Sequence, residues 1–384
     1  KNPTRLAYET ALADLEGGVY ATATASGLAA TTLALDLLDH GGHVVSQEGI
    51  YGGTYRLFEQ VRRRTSGLTF TYLDLNDADK LIEALSEARK TRPVDATYLM
   101  VWVESPTNPL LKLVDLRKVV SAVRELEQSW AANGCEDKVL VVVDNTFATA
   151  YNQLPLKFGA DVVMLSASKY IGGHSDMIGG ALVVREEPIA ARVAFLAKAV
   201  GAIASPFDSY MGLRGMKTLA VRLQRQSENA AAVATYLEGH PKVLETHYPG
   251  LASHPQRELC MRQMRTPGAV VTIRLKVGRH PVDDASARDA EVPPKRRRGE
   301  PDGDAMDGSR TLQRFFGALR VFVLAESLGG VESMINHSAT MSHSGMTTEG
   351  RAAVGIFDET LRISCGIEAA EDLIADLARG LAAI

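Results

Sequence analysis

The run Val139-Leu140-Val141-Val142-Val143, closed by Asp144-Asn145-Thr146-Phe147, constrains this chain more than any other segment. It does not alternate apolar with polar residues, so a strand made from it must be covered on both faces, as the central strands of parallel sheets are. Shorter runs of the same kind lie at His43–Ser46, Thr69–Leu73, Tyr98–Val103, Val162–Leu165 and Ala181–Val184. Amphipathic stretches near Gly27–Leu38, Thr54–Arg63, Asp77–Ala88 and Asp115–Ala131 separate them. This alternation predicts an α/β unit built on a mostly parallel sheet.

Further along, the pattern changes. Phe207–Glu238 reads as one long helical stretch, followed by strands at Ala269–Lys276 and Leu319–Leu324 and a closing helix over Glu371–Leu381. We therefore expect a large domain over 1–237 and a smaller α+β domain over 238–384. A length of 384 residues suits about two domains at roughly 150 residues each. Gly278–Gly308 has almost no apolar content and contains Pro293-Pro294-Lys295-Arg296-Arg297-Arg298-Gly299. Such a segment buries too little surface to offset its ordering entropy, so a mobile surface insertion is expected. Its basic run, beside Glu300, Asp302 and Asp304, reads as solvated charge rather than a nucleic-acid patch. Because the sequence opens on what reads as a helix start, residues upstream of Lys1 are also expected.

Charge narrows the choice of partners. A formal net charge of -4 exerts no pull toward nucleic acid or anionic membrane. No apolar run reaches the roughly 20 residues needed to span a bilayer, and Lys1-Asn2-Pro3-Thr4 is not a signal peptide. Cys135, Cys260 and Cys365 are far apart, which argues against a zinc site or disulfide framework and suits a reducing cytoplasm. The expected partners are small molecules and other copies of the chain.

In open parallel sheets, ligands bind beyond the carboxyl ends of the strands. Three polar clusters follow strands here: Glu104-Ser105-Pro106-Thr107-Asn108-Pro109, Asp144-Asn145-Thr146-Phe147 and Ser166-Ala167-Ser168-Lys169-Tyr170. A buried lysine at such a place has a lowered pKa and offers a free amine for attack on an aldehyde. Asp144, twenty-five residues before Lys169, is placed to pair with a protonated pyridine nitrogen. Ala25-Ser26-Gly27-Leu28-Ala29-Ala30 starts a helix, with Ser26 as N-cap and Gly27 letting an anion approach free N–H groups. Ser166 and Ser168 add hydroxyl donors. Tyr51, in Gly49-Ile50-Tyr51-Gly52-Gly53-Thr54, offers a ring for stacking and a phenol for proton transfer.

Together these segments resemble the Cys/Met-metabolism PLP-dependent family. Tyr51-Gly52-Gly53-Thr54, Ser105-Pro106-Thr107-Asn108-Pro109 and Leu324-Ala325-Glu326-Ser327-Leu328-Gly329-Gly330 belong to the same likeness, which runs from Asn2-Pro3-Thr4-Arg5 to the C-terminal helix. It implies the fold type I architecture of aspartate-aminotransferase-like enzymes, pyridoxal 5'-phosphate as cofactor, and a homotetramer of active dimers. It further implies Lys169 as the Schiff-base lysine and Asp144 as the pyridinium partner. Gly27, Leu28, Ser166 and Ser168 would hold the phosphate, Tyr51 would stack on the ring, and Asn108 would meet the ring hydroxyl. Arg362 matches the arginine that grips the substrate carboxylate, Ser327 a residue that positions Lys169 or substrate, and Arg56 and Glu326 the distal part of the substrate site. Two departures stand out. The family's Tyr-x-Arg segment, which reaches a neighbouring subunit's phosphate, is not in this sequence, and Asn336 replaces a serine common among relatives.

Methionine-cleaving members of the family usually carry a cysteine at the Gly53 position and lack an acid at the Glu326 position. Glu326 therefore implies a cystathionine-handling member, since a carboxylate there meets the distal ammonium. The expected reaction is α,γ-elimination of L-cystathionine to L-cysteine, 2-oxobutyrate and ammonia. The alternatives are γ-replacement on an activated homoserine ester and, further off, methionine γ-elimination or β-elimination of cystathionine.

Overall fold

The computed structural model describes residues 2–91, 98–276 and 303–384. Seven strands form the larger sheet: β1 (Tyr20–Thr24), β2 (His43–Gln47), β3 (Thr69–Leu73), β4 (Tyr98–Glu104), β5 (Lys138–Asp144), β6 (Val162–Ser166) and β7 (Gly180–Val184). Their order is β1-β7-β6-β5-β4-β2-β3. Strands β2 to β6 are mutually parallel, and only β7 runs against its neighbours.

The Val-rich run forms β5 at the middle of this sheet, and its two faces go to different cores. Leu140 and Val142 pack with residues of the helices Gly27–Leu35 and Glu187–Val200. Val139, Val141 and Val143 pack instead with the helices Ala78–Thr91 and Leu116–Ala132. Side chains alternate across a strand, so a run buried on both faces must be apolar at every position. In register, Glu104 of β4 lies opposite Asp144 of β5, and both strands end there.

A second sheet comprises β8 (Val243–His247), β9 (Val270–Leu275), β10 (Val323–Leu324), β11 (Met334–His337) and β12 (Thr360–Ser364), ordered β10-β11-β12-β9-β8. Its pairings are antiparallel except that of β10 with β11. The helices Leu219–Leu237 and Ala370–Ala382 cover it through Val233, Leu237, Leu373 and Leu377. Among the described residues, no helix is long and apolar enough to cross a membrane.

Several expectations need correction. The long helix is two, Pro206–Met216 and Leu219–Leu237. Its break is a tight turn in which the Lys217 and Thr218 amides bond the carbonyls of Arg214 and Gly215. The strand expected over Leu319–Leu324 shrinks to Val323–Leu324. There the buried Asp376 carboxylate takes the amides of Arg320, Val321 and Phe322 at 2.8, 2.8 and 2.9 Å, so they cannot serve a sheet ladder. The insertion expected to be mobile through Gly308 already turns helical at Gly303, where the helix Gly303–Ala318 begins; the rest of it lies outside the described residues. β1, β8, β11 and β12 were not expected.

Candidate active site

The carboxyl ends of β4, β5 and β6 open on a cavity of about 540 Å³. Every residue singled out from the sequence lines it: Gly27, Leu28, Tyr51, Arg56, Asn108, Asp144, Ser166, Ser168, Lys169, Glu326, Ser327 and Arg362. The two sheets both contribute, since Arg362 comes from β12 and Glu326-Ser327 from the segment after β10.

One end of the cavity is built for an anion. Ser26 caps the helix Gly27–Leu35 by accepting the Ala29 N–H at 3.1 Å, which leaves first-turn amides facing the cavity. A Cβ on Gly27 would stand 2.9 Å from Ser166 Cβ and 3.1 Å from its Oγ, so only glycine lets the helix start lie against the end of β6. Ser166 is itself held by its N–H, which donates to Thr146 Oγ1 at 2.9 Å. Ser168 Oγ accepts the Gly179 N–H at 3.0 Å.

Beneath the cavity centre lie two buried acids. Asp144 accepts the Thr146 N–H at 3.0 Å, yet burial pushes its carboxyl up to about 6. Glu104 is raised well above the usual range by burial and then by the charge of Asp144. Among the described residues no cation offsets either acid. A positive group seated above Asp144 would satisfy both.

Lys169 Nζ donates to Ser327 Oγ at 3.0 Å. Burial first, and then the nearby Arg362 charge, lower this amine to about 8, with Glu326 acting the other way. Arg362 is 2% exposed. Its NH1 donates to Asn108 Oδ1 at 2.9 Å, and its NH2 to the carbonyls of Glu326 and Ser327 at 2.7 and 3.0 Å. A guanidinium carries five donors, and the buried Nε–H has no partner, so donors remain for an incoming carboxylate. Tyr51 is 39% exposed, its phenol raised mainly by burial and lowered chiefly by Arg56.

Sequence reasoning missed part of the wall. Glu104 was visible only as an acid ending a strand, and the segment Met341–Met346 carried no signal. Within that segment His343 is buried and pushed down to about 4, by burial first and then by the Arg362 charge, so it is neutral near pH 7. Its Nδ1 lies 2.9 Å from Ser342 Oγ, which donates to Asn336 Oδ1 at 3.0 Å. Asn336 donates in turn to the Ala325 carbonyl at 3.4 Å. Asn336 therefore ties the segment before Glu326 to the wall around His343.

A suppressed lysine amine, a helix start with flanking serine hydroxyls, a buried carboxylate lacking a cation and a guanidinium with spare donors fit pyridoxal phosphate and an amino-acid substrate. On this fold they define a PLP-dependent enzyme of fold type I. The chain belongs to the Cys/Met metabolism PLP-dependent enzyme family, whose profile matches residues 1–289 and 304–382. It is 44% identical to a cystathionine beta-lyase of Coxiella burnetii over 99% of this chain and 86% of that one. A cystathionine gamma-lyase of Dictyostelium discoideum is 40% identical, over 99% and 85%. The crystal structure of cystathionine gamma synthase from Xanthomonas oryzae pv. oryzae, in complex with aminoacrylate and cysteine, superposes with a TM-score of 0.84 at 39% identity, covering 100% of this chain and 86% of that one. The chain is thus a transsulfuration enzyme, in a family whose members differ in which bond they break or form.

Proposed function

We propose that the chain cleaves L-cystathionine by α,γ-elimination, releasing L-cysteine, 2-oxobutyrate and ammonia. The observation that carries this reading is Glu326, which lines the cavity with Arg56 and whose charge acts on Lys169, Tyr51 and Arg362 alike. A carboxylate so placed suits the distal ammonium of cystathionine, while Arg56 suits its distal carboxylate.

In this reading the Gly27 and Leu28 amides with Ser166 and Ser168 hold the cofactor phosphate, and Asp144 pairs with the ring nitrogen. Tyr51 stacks on the ring and Asn108 meets its hydroxyl. Pyridoxal phosphate, carried on Lys169, supplies an electron sink for charge developing at the substrate Cα. Arg362 anchors the α-carboxylate through its remaining donors. As a free amine, Lys169 would remove the Cα proton as a neutral base, and its lowered pKa makes that form accessible near neutral pH. Ser327 Oγ holds the amine in place for this step. Lys169, having passed the first proton on, would also take the proton from Cβ, and the Tyr51 phenol would protonate the departing γ-thiolate. Hydrolysis of the remaining imine gives the keto acid and ammonia.

The likeness to the Xanthomonas oryzae gamma synthase supports a second reading: γ-replacement, in which cysteine traps the same substrate fragment from an activated homoserine ester. Incubation with L-cystathionine, and separately with an activated homoserine ester plus cysteine, tests both. We also propose a cytoplasmic homotetramer of paired dimers. Leu6, Phe207 and Tyr210, on helices that pack together, are 59%, 69% and 56% exposed and offer apolar surface for it. Sedimentation measures that mass.

A further inference from the structure

Glu104 ends β4 at the floor of the cavity and is 4% exposed. Its two carboxylate oxygens do separate work. Oε2 accepts the Tyr51 N–H at 2.8 Å, and Oε1 accepts the Asn108 N–H at 2.9 Å. The two amides belong to different loops, one after β2 and one after β4. The Tyr51 ring lies over Gly53, where a Cβ would stand 2.4 Å from Tyr51 Cε1. The ring thus rests against its own loop, whose position at Tyr51 is held by Glu104. Asn108 passes the arrangement on, since its Oδ1 accepts Arg362 NH1 at 2.9 Å.

From this geometry we infer that Glu104 is a positioning residue, which fixes Tyr51 and Asn108, and through Asn108 the Arg362 guanidinium, in one arrangement around the cofactor ring. This rests on the ring-facing roles proposed above for Tyr51 and Asn108. A carboxylate is the group the place requires: two N–H donors need two acceptor oxygens, and a glutamine side chain offers only one. An aspartate keeps both oxygens but is one methylene short of the two loops. Glu104 touches neither substrate nor the reacting atoms in this account, so its effect runs entirely through the residues it holds.

The test uses resting, cofactor-loaded protein without substrate, so it is separate from the question of which products form. Glu104→Gln should fold, assemble and still trap cofactor on Lys169 by borohydride reduction. It should lose much of the visible circular dichroism of the bound cofactor, which reports a fixed ring orientation. Its dissociation constant for pyridoxal phosphate should rise about tenfold, the scale of leaving one buried N–H without its acceptor. Glu104→Asp should behave in the same way. Wild-type dichroism and affinity in either folded variant would overturn the inference. If neither variant folds, hydrogen exchange on the wild-type holoenzyme decides: the Tyr51 and Asn108 amides should be protected together, and free exchange at either would overturn it.

Discussion

The amine of Lys169 meets the hydroxyl of Ser327 at 3.0 Å across 158 residues of sequence. The contact joins the end of β6 to the segment whose carbonyls hold Arg362, so the proposed base and the proposed carboxylate anchor share one support. Lys169→Ala should abolish covalent cofactor attachment and lower turnover by at least about 10³-fold, within the range for loss of a positioned base. Ser327→Ala keeps the base but frees it. Its kcat should fall about tenfold with cofactor content unchanged, as steady-state kinetics and absorbance would show.

The Lys169 amine is lowered from 10.5 to about 8, chiefly by burial. In cofactor-free protein the rate of cofactor attachment should therefore rise with pH and level off above about 8, where an ordinary lysine would still be climbing toward its plateau. Stability follows with a defined sign. Between about 8 and 10.5 the unfolded chain holds a proton that the folded chain has released, so stability rises with pH across that window. Below about 8 the full cost of charging a buried amine is present. Stopped-flow absorbance measures the first effect and denaturant titration the second; an attachment profile centred near 10 would contradict the placement of this amine.

Asp144 titrates near 6 because it is buried. Cofactor affinity should fall as pH drops through about 6, when the carboxylate proposed to pair with the ring nitrogen becomes neutral. Asp144→Asn should flatten that dependence and cut turnover roughly 10²-fold, a magnitude typical of removing one preorganised electrostatic partner. Affinity that stays flat down to pH 5 in the wild type would show that Asp144 is not the partner.

Gly27→Ala places a methyl within 2.9 Å of Ser166 Cβ. The helix start must then lift from β6, at a cost of about 1–3 kcal/mol, and the cavity-lining residues Gly27 and Leu28 move with it. Weaker cofactor binding together with a lower melting temperature is the expected result. Calorimetry with and without cofactor separates the two.

How much of this was legible depended on whether a residue's surroundings are local in sequence. β5 could be read because burial on both faces forces apolar residues at every position. Lys169, Asp144 and the Ser26-Gly27 helix start could be read because each sits at a strand end or helix start. β12, Thr360-Leu361-Arg362-Ile363-Ser364, alternates polar and apolar residues, yet all five are buried and Arg362 lines the cavity; β11, Met334-Ile335-Asn336-His337, is only four residues long, so neither shows the continuous apolar run that marks β5. Leu319–Leu324 misled because its composition suits a strand, while Asp376, far along the chain, takes its amides. The role of Glu104 depends on amides from two loops that meet only in the folded chain. No spacing in the sequence announces that meeting.

The most direct test of the account is to supply purified, cofactor-loaded protein with L-cystathionine and identify the keto acid and thiol released. The account predicts 2-oxobutyrate with cysteine. Pyruvate with homocysteine, or no product from cystathionine while an activated homoserine ester and cysteine yield it, would contradict α,γ-elimination as the reaction of this site.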